Sequence, residues 1–336
     1  MGEYQRSSRI LIASNTFETE EGAYDVFREL DCEVVTVPAK ERKHWTEDDL
    51  AKALQGIDGA ILGGDHPVTE RVLETADKLK IISLNCTGYD HLDVNAAIAR
   101  GIAVCNMPGL SYNAVADFIW GQIFAVMRQI VKGDRAIRSG QWVKGVEKSA
   151  SVSEKTIGII GMGSIGQAVA KRAMGFDMKI LACVRTERQE LVDRYNVTFV
   201  SKEELLSTAD IVVICCPLST ETHQMIGESE LKSMKHSSYI INSSRGEIIN
   251  EEALYEALVE SRIAGAALDV FKEEPLMESK FFKLENVVIT PHIGGLADRQ
   301  IFDCAEGAAR NLVSFLSGEK PLYIINPDVC KVKTKQ

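Results

Sequence analysis

The sequence of 336 residues predicts an α/β protein built from two doubly wound parallel sheets. Short apolar segments alternate with longer amphipathic segments along the chain, and a glycine-rich loop directly follows one of the apolar segments. The chain is also longer than the roughly 250–300 residues at which a single hydrophobic core stops growing. We therefore expect two domains.

The first half of the chain contains five short apolar segments that we predict to be buried strands. The segments between them have apolar residues at helical spacing and charged residues, as is typical of helices: residues 20–30, 47–56, 68–78 and 93–100. Strands separated by helices form parallel sheets, because each helix carries the chain back across one face of the sheet. The predicted strands are Ile10–Ala13, Glu33–Val37, Ala60–Leu62, Ile81–Leu84 and Ile102–Cys105.

A second α/β series follows a long helical stretch over residues 112–139, which connects the two halves. After this series, a helix is predicted to end near Leu316, and Leu322–Ile325 has the composition of a strand. The predicted strands of the second series are Thr156–Ile160, Lys179–Ala182, Phe199–Val200, Ile211–Cys215, Tyr239–Asn242, Ala264–Leu268 and Val287–Thr290.

Composition excludes several classes of protein. A formal net charge of −10 disfavours a nucleic-acid partner, because binding to phosphates requires clustered Lys and Arg. The eight cysteines show no paired C-x-x-C spacing, so neither a disulfide framework nor a metal site is expected. No segment approaches the roughly 18 apolar residues of a membrane span. Residues 1–6 lack the apolar region of a signal peptide, which predicts a cytoplasmic protein.

The glycine-rich loop lies between a predicted strand and an alanine-rich helix. Gly161, Gly163 and Gly166 have the G-x-G-x-x-G spacing of dinucleotide-binding loops. In that motif the first glycine permits a tight turn, the second lets the backbone approach a pyrophosphate, and the third lets helix and strand pack closely. The start of the helix then offers N–H groups to the phosphates. The loop therefore predicts that the chain binds a dinucleotide.

The end of the next strand distinguishes between the two nicotinamide dinucleotides. An acidic residue that binds the ribose hydroxyls of NAD is expected there, yet the position holds Val184. Arg185, Thr186 and Arg188 follow it, and guanidinium groups suit a 2′-phosphate. The pattern favours NADP(H). Binding of NAD(H) stays possible, because Glu187 could serve the ribose instead.

At this point the chain resembles the D-isomer-specific 2-hydroxyacid dehydrogenase family, and within it the NADPH-preferring glyoxylate/hydroxypyruvate reductases. The resemblance extends from the first strand to the final helix, with the motifs in the family's order. Besides the glycine loop, the motifs that carry it are Thr87–Asp93, Arg100–Pro108, Asn242–Gly246, Leu268–Pro275 and Thr290–Gly295.

The resemblance implies a fold and partners. A Rossmann nucleotide domain, residues 109–296, would be inserted in a flavodoxin-like substrate domain formed by residues 1–108 and 297–336. The substrate would be a small unphosphorylated 2-keto acid, or the corresponding 2-hydroxy acid, bound in a cleft between the domains. Relatives dimerise through the stretch that corresponds to residues 112–139, which implies a homodimer.

The resemblance also assigns roles to individual residues. Reduction of a 2-keto acid requires a cation for the anionic substrate and a proton donor for the developing alkoxide. Arg245 would bind the substrate, His292 would donate the proton, and Glu274 would hydrogen-bond to His292. Backbone N–H groups around Thr87 and Gly88 would bind the substrate carboxylate. The residues implied to bind the cofactor are Gly161, Gly163, Ser164, Ile165, Gly166, Arg185, Thr186, Cys216, Pro217, Ser243 and Asp269, the last through the nicotinamide carboxamide.

Other interpretations of these residues are possible. Taken alone, Arg245 is typical of a surface cation and His292 of a structural histidine. The remaining histidines receive no catalytic role: His44, His66, His91, His223 and His236. The alternative function is an NAD(P)-sensing regulatory protein of the same fold, which would bind the cofactor without turning it over.

Overall fold

The computed structural model describes residues 7–42, 45–64, 66–142 and 149–332. The N-terminal segment 1–6 and His44 lie outside the described residues. The chain divides into two compact units, which are residues 1–111 with 296–336 (unit 1) and residues 112–295 (unit 2). The first segment of unit 1 ends at residue 111, where the sequence predicted 108. Its second segment begins at residue 296, where the sequence predicted 297.

Twelve strands are present in the described part of the chain, and all of them pair in parallel within two sheets. The fold class predicted from the sequence is thereby confirmed. The strands are β1 (Ser8–Ala13), β2 (Cys32–Thr36), β3 (Gly59–Leu62), β4 (Ile81–Leu84), β5 (Ala103–Cys105), β6 (Thr156–Ile160), β7 (Lys179–Cys183), β8 (Val197–Phe199), β9 (Ile211–Ile214), β10 (Tyr239–Asn242), β11 (Gly265–Leu268) and β12 (Val287–Ile289).

Helices alternate with these strands. Short 3₁₀ helices add Asp25–Glu29, Met174–Phe176, Gly246–Ile248 and Lys280–Lys283. The α-helices are α1 (Glu21–Tyr24), α2 (Ala39–Arg42), α3 (Glu47–Ala53), α4 (Glu70–Glu74), α5 (Val94–Ala99), α6 (Tyr112–Met127), α7 (Ile130–Arg138), α8 (Ser164–Ala173), α9 (Gln189–Tyr195), α10 (Lys202–Thr208), α11 (Glu228–Ser233), α12 (Glu251–Val259), α13 (Asp298–Leu316) and α14 (Asp328–Val332).

Unit 1 contains a five-stranded sheet in the order β2-β1-β3-β4-β5, which is the order of flavodoxin-like folds. Successive side chains of a strand point to opposite faces of the sheet. Because consecutive residues of β1 are apolar and buried, both of its faces are covered. Ile10 and Ile12 pack in the cluster that includes α13, whereas Leu11 and Ala13 pack in the cluster that includes α3, α4 and α5.

Unit 2 contains a seven-stranded sheet in the order β12-β11-β10-β9-β6-β7-β8. The strand order reverses between β6 and β9, as it does in Rossmann folds, and ligands of such sheets bind at this reversal, outside the carboxyl ends of the strands. The helices α6, α8 and α9 contribute to the hydrophobic cluster on one face, and α10, α11 and α12 contribute to that on the other. The fold therefore predicts the ligand site of unit 2 at the loops that follow β6 and β9.

Two predicted elements differ in the structure. The single helix predicted over residues 112–139 is two helices, α6 and α7, which are bent by 63° at the break between them. Gln129 at the break has a φ of 54°, a left-handed conformation that ends the hydrogen-bonded ladder, and no glycine or proline at this point indicates it in the sequence. The strand predicted at Leu322–Ile325 forms only an isolated antiparallel bridge between Ile324 and Cys105.

No single helix among the described residues has the length and apolar character needed to span a membrane. Within the same ranges, α6 and α7 taken together meet that test by length and composition, despite their bend.

Candidate active site

The residues predicted to bind cofactor and substrate in unit 2 follow the carboxyl ends of six strands. Because the strands are parallel, these ends share one edge of the sheet. The loops concerned are those after β6 (Gly161–Gly163), β7 (Val184–Arg188), β9 (Cys216 and Pro217), β10 (Ser243–Arg245), β11 (Asp269–Glu274) and β12 (His292).

The glycine loop has the geometry that a dinucleotide requires. Gly161 has a φ of 98°, and a Cβ there would lie 2.8 Å from the carbonyl oxygen of Cys215. A Cβ on Gly166 would lie 2.1 Å from the carbonyl oxygen of Gly161, so helix and strand pack at a distance that only glycine permits. Gly163 precedes α8, and no side chain caps that helix, so the N–H groups around Ser164 and Ile165 are available to an anion.

The loop after β7 presents its basic residues to solvent. Val184 is half-buried against the core, whereas Arg185 and Thr186 are exposed. Arg188 donates to the Met162 carbonyl oxygen at 2.9 Å and therefore ties this loop to the glycine loop. Among the described residues, no hydrogen-bond acceptor or ion-pair partner engages Arg185, so its guanidinium is available to a ligand.

A hydrogen bond joins the loops after β9 and β10, and a second one lies within the loop after β9. Ser244 donates its hydroxyl to the Cys216 carbonyl oxygen, and Thr222 donates to the Pro217 carbonyl oxygen at 2.7 Å. Burial raises the pKa of the Cys216 thiol to about 11. This cysteine is therefore protonated at neutral pH, which favours a packing or backbone role over a nucleophilic one.

Arg245 is held by the residues on either side of it in the sequence. The Asn242 side-chain amide donates to the Arg245 carbonyl oxygen at 2.8 Å, which fixes the turn after β10. A Cβ on Gly246 would lie 2.0 Å from the backbone carbonyl carbon of Phe271, so the Arg-Gly pair lies directly against the loop that leads to Glu274. The local sequence thus brings the guanidinium of Arg245 close enough to favour ionised Glu274 and to act against protonation of His292, as a smaller effect than the Glu274–His292 hydrogen bond.

Glu274 and His292 form a hydrogen-bonded pair. The distance from His292 Nδ1 to Glu274 Oε2 is 2.6 Å, and the other carboxylate oxygen accepts the Phe271 N–H at 2.9 Å. The His292 side chain is 49% exposed, and its Nε2 is the nitrogen left for a substrate. The loop therefore holds an imidazole with one nitrogen oriented by a carboxylate.

The pKa shifts of the pair favour its charged form. The hydrogen bond with Glu274 raises the pKa of His292, and burial opposes this effect without cancelling it. Burial acts to raise the pKa of Glu274, but the hydrogen bonds from His292 and Phe271 outweigh it and lower that pKa. Both shifts stabilise imidazolium beside carboxylate, which is the state that can donate a proton.

The variant Glu274→Gln is expected to move the falling limb of the rate–pH profile for reduction to lower pH. Turnover that requires imidazolium is lost as the pH rises through the pKa of His292, and removal of the carboxylate lowers that pKa. Steady-state rates across pH measure the shift. Glu273→Gln, one residue away and exposed, is the matched control. An unchanged falling limb in Glu274→Gln would contradict this role.

Asp269 is 1% exposed and holds the loop that carries His292. Its Oδ1 accepts the Thr290 hydroxyl at 2.6 Å and the Ile293 N–H at 3.0 Å, and its Oδ2 accepts the Gly294 N–H at 2.8 Å. The carboxylate is therefore already engaged within the protein. Its additional contact with the nicotinamide carboxamide stays a prediction.

Thr87 and Gly88 lie in unit 1, just after β4. The Thr87 hydroxyl donates to the Met107 carbonyl oxygen at 2.8 Å, and the Asn106 amide donates to the Thr87 carbonyl oxygen at 2.7 Å. No acceptor within the described ranges engages the backbone N–H groups of Thr87 and Gly88. Two adjacent N–H groups on a fixed turn suit a carboxylate.

Three polar residues that support the site were not predicted from the sequence. Asn242 fixes the turn before Arg245, while Gln122 and Thr290 connect the loops after β10 and β12. Thr290 and Asn242 fall inside motifs that had been singled out, so their positions were a usable signal. Gln122 offered no such signal in the sequence, apart from being a polar residue within an apolar helix.

The fold and the site geometry agree with what comparison with known proteins finds. Residues 120–294 match the model of the D-isomer specific 2-hydroxyacid dehydrogenase, NAD binding domain, and these residues lie within unit 2. A glyoxylate reductase of Pyrococcus horikoshii is 41% identical over 300 residues, which cover 87% of this chain and 90% of that protein.

Two solved structures extend the similarity to nearly the whole chain. The TT0316 protein from Thermus thermophilus has a TM-score of 0.87 at 34% identity, over 94% of this chain and 99% of that one. An NADPH-dependent glyoxylate/hydroxypyruvate reductase from Sinorhizobium meliloti has a TM-score of 0.79 at 25% identity, over 95% and 97%. The resemblance seen in the sequence motifs is confirmed, and the chain belongs to the D-isomer-specific 2-hydroxyacid dehydrogenase family.

Proposed function

We propose that the protein reduces a small unphosphorylated 2-keto acid of the glyoxylate and hydroxypyruvate class to the D-2-hydroxy acid, with NADP(H) preferred and NAD(H) possible. Family membership makes it a nicotinamide-dependent oxidoreductase that transfers hydride to a 2-keto acid. The observation that supports the proposal most is the 2.6 Å Glu274–His292 pair, with Arg245 close enough to influence both pKa values.

Each residue of the site has a proposed step. Arg245 binds the substrate carboxylate and carbonyl oxygen and stabilises the negative charge that develops on the latter. His292 donates its Nε2 proton to that oxygen, and Glu274 holds the imidazole and favours its protonated form. The N–H groups of Thr87 and Gly88 bind the carboxylate. Reduced nicotinamide, when bound, supplies the hydride for the carbonyl carbon.

The same proposal assigns the dinucleotide to unit 2 and the substrate-binding loop to unit 1. No atom crowds Gly163, and no side chain caps the start of α8, so this end of the helix fits the pyrophosphate. Ser164 and Ile165 lie in the first turn of α8. Cys216, Pro217 and Ser243 follow the neighbouring strands at the same sheet edge, where the rest of the cofactor is proposed to lie.

The preference for NADP(H) rests on the loop after β7. Val184 cannot repel a 2′-phosphate as an aspartate would, and Arg185 is exposed, with no hydrogen bond or close ion pair among the residues that the structure describes and only a longer-range attraction to Glu221. Thr186 adds a hydroxyl donor beside it. A guanidinium without a close ion pair gives up no direct internal contact when it binds the phosphate.

Arg185→Ala is expected to weaken binding of NADPH far more than binding of NADH. Only NADPH carries the phosphate that the guanidinium binds, so only its affinity depends on the charge. Fluorescence titration with both coenzymes measures the two dissociation constants. Arg194→Ala, an exposed arginine on α9, controls for the change in net charge. Equal losses for the two coenzymes would remove Arg185 from the proposed 2′-phosphate site.

Turnover assays test the proposed reaction directly. The absorbance of reduced nicotinamide is followed with NADPH and NADH in parallel, against glyoxylate, hydroxypyruvate, pyruvate and 2-ketogluconate. Consumption of NADPH with glyoxylate or hydroxypyruvate supports the proposal and ranks the substrates. No finding supports the NAD(P)-sensing regulatory alternative, and only cofactor binding without any turnover would favour it.

A homodimer is proposed from the surface of α7. This helix has no buried residue in the isolated chain, and Ile130 and Ile137 are 56% and 55% exposed. Covering such side chains in a twofold interface is favourable. Light scattering at micromolar concentration is expected to give the mass of a dimer, and a monomer mass would refute it. The cytoplasmic location stays a prediction.

A further inference from the structure

A buried glutamine lies within the apolar face of α6. Gln122 is 3% exposed, and its neighbours on the buried face include Ile119, Ile123 and Val126. A buried amide is costly unless its oxygen and nitrogen are hydrogen-bonded. Gln122 meets this requirement through Ser243 at 2.7 Å and Thr290 at 3.2 Å.

The direction of each hydrogen bond in this chain follows from the Asp269 carboxylate. Ionised carboxylates only accept, so Thr290, 2.6 Å away, donates its single hydroxyl proton to Asp269. Thr290 Oγ1 must therefore accept from Gln122, which fixes Nε2 as the atom facing Thr290. Gln122 Oε1 then faces Ser243 and accepts its hydroxyl proton. The four side chains form one continuous donor chain from Ser243 to Asp269.

This donor chain connects the two loops that carry the proposed substrate-binding and proton-donating groups. Ser243 lies two residues before Arg245, and Thr290 lies two residues before His292. At its far end, Asp269 accepts the N–H groups of Ile293 and Gly294, on the other side of His292. The His292 loop is therefore fastened before and after the imidazole, and Gln122 joins it to the loop after β10.

We propose that Gln122 is a positioning residue that sets the Arg245 and His292 loops relative to one another through Ser243, Thr290 and Asp269. The inference rests on the proposed roles of Arg245 and His292 in reduction. Gln122 makes no side-chain hydrogen bond to either residue among those described. It acts through the loops that hold them, and a misplaced catalytic group lowers turnover even when substrate still binds.

Gln122→Leu tests the proposal because it keeps the side-chain volume roughly constant and removes both hydrogen bonds. It leaves Thr290 without a donor and Ser243 without its acceptor. We expect kcat to fall about tenfold, as a lost buried hydrogen bond would allow. The KM for the 2-keto acid is expected to rise as well, because the loop that carries Arg245 is no longer fastened to Gln122.

The rate–pH profile separates positioning from general damage. The charged groups facing His292 are Glu274, Arg245 and Asp269. If the loop shifts, the Glu274–His292 hydrogen bond loosens and the falling limb for reduction moves to lower pH in Gln122→Leu. A variant that merely unfolds in part would lose amplitude at every pH without moving that limb.

A pair of substitutions at Thr290 tests the same chain without touching the helix. Thr290→Val removes the hydroxyl and is expected to reproduce the loss in kcat and the shifted limb. Thr290→Ser keeps the hydroxyl and is expected to stay near the parent enzyme. Gln300→Leu, which removes another buried glutamine, 7% exposed on α13 of unit 1, is the matched control and should leave kcat unchanged.

The outcomes distinguish this inference from the proposed function. A parental kcat and rate–pH profile in both Gln122→Leu and Thr290→Val, with Arg245 and His292 variants inactive, would overturn the positioning role alone. Equal losses in Thr290→Ser and Thr290→Val would also overturn it, because the hydroxyl would not matter. Full activity in the Arg245 and His292 variants would instead remove the proposed site itself.

Discussion

Replacing His292 with Ala is expected to lower the kcat for reduction by about two to four decades while NADPH still binds. The imidazole is half exposed and is oriented by a 2.6 Å hydrogen bond from Nδ1 to Glu274, which leaves Nε2 for the substrate oxygen. Without it, the alkoxide must take its proton from water. The glycine loop and the loop after β7 are untouched, so cofactor affinity should persist. Steady-state rates and fluorescence titration measure the two quantities.

His236→Ala is the matched control, because it removes an exposed histidine that follows α11, away from the loops of the proposed site. It is expected to match the parent in both measurements. If His292→Ala also retained parental turnover, His292 would have no part in proton transfer, and the Glu274–His292 pair would be a structural contact.

Replacing Arg245 with Met is expected to lower kcat/KM for 2-keto acids by about two to three decades. The side chain is half-buried beside the Glu274–His292 pair, where a guanidinium can bind the substrate carboxylate and carbonyl together. Methionine keeps much of the volume but removes the charge and every donor. Arg245→Lys restores the charge without the planar fork and should recover only part of the loss.

Arg299→Met, which removes an arginine with 90% exposure on α13 of unit 1, controls for net charge and should match the parent. A second effect is expected at His292. Arg245 works against protonation of the imidazole, so its removal should move the falling limb of the rate–pH profile to higher pH. Parental kcat/KM in Arg245→Met would exclude Arg245 from substrate binding.

Much of the fold could be predicted because the local signals agree with the tertiary structure. Each predicted strand of the two series has a counterpart in the sheets, since parallel strands buried on both faces appear as short apolar runs such as Ile81–Leu84. The break at Gln129 could not be predicted. Its backbone is left-handed, and glutamine carries no signal for that conformation.

The site was predictable where a motif fixes the backbone and not where a contact joins distant segments. Gly166 is required by a clash within its own loop, and Gly161 by its positive φ of 98°, so the spacing of the motif contains the information. Gln122 and Thr290 are separated by 168 residues, and their hydrogen bond depends on how α6 lies across the sheet. No sequence motif contains Gln122, and only the folded structure places it between the loops after β10 and β12.

The exposure of the loop after β7 has a consequence for how coenzyme choice can change. Arg185 and Thr186 project away from the hydrophobic clusters, so substitutions there leave core packing intact. The loops around Gly246 and Asp269 are fastened to their neighbours by close contacts and buried hydrogen bonds. Under the proposed assignment of the 2′-phosphate to Arg185, evolution or protein engineering can exchange one coenzyme for the other at little cost in thermostability, whereas substitutions in the loops around Gly246 and Asp269 would disturb packing.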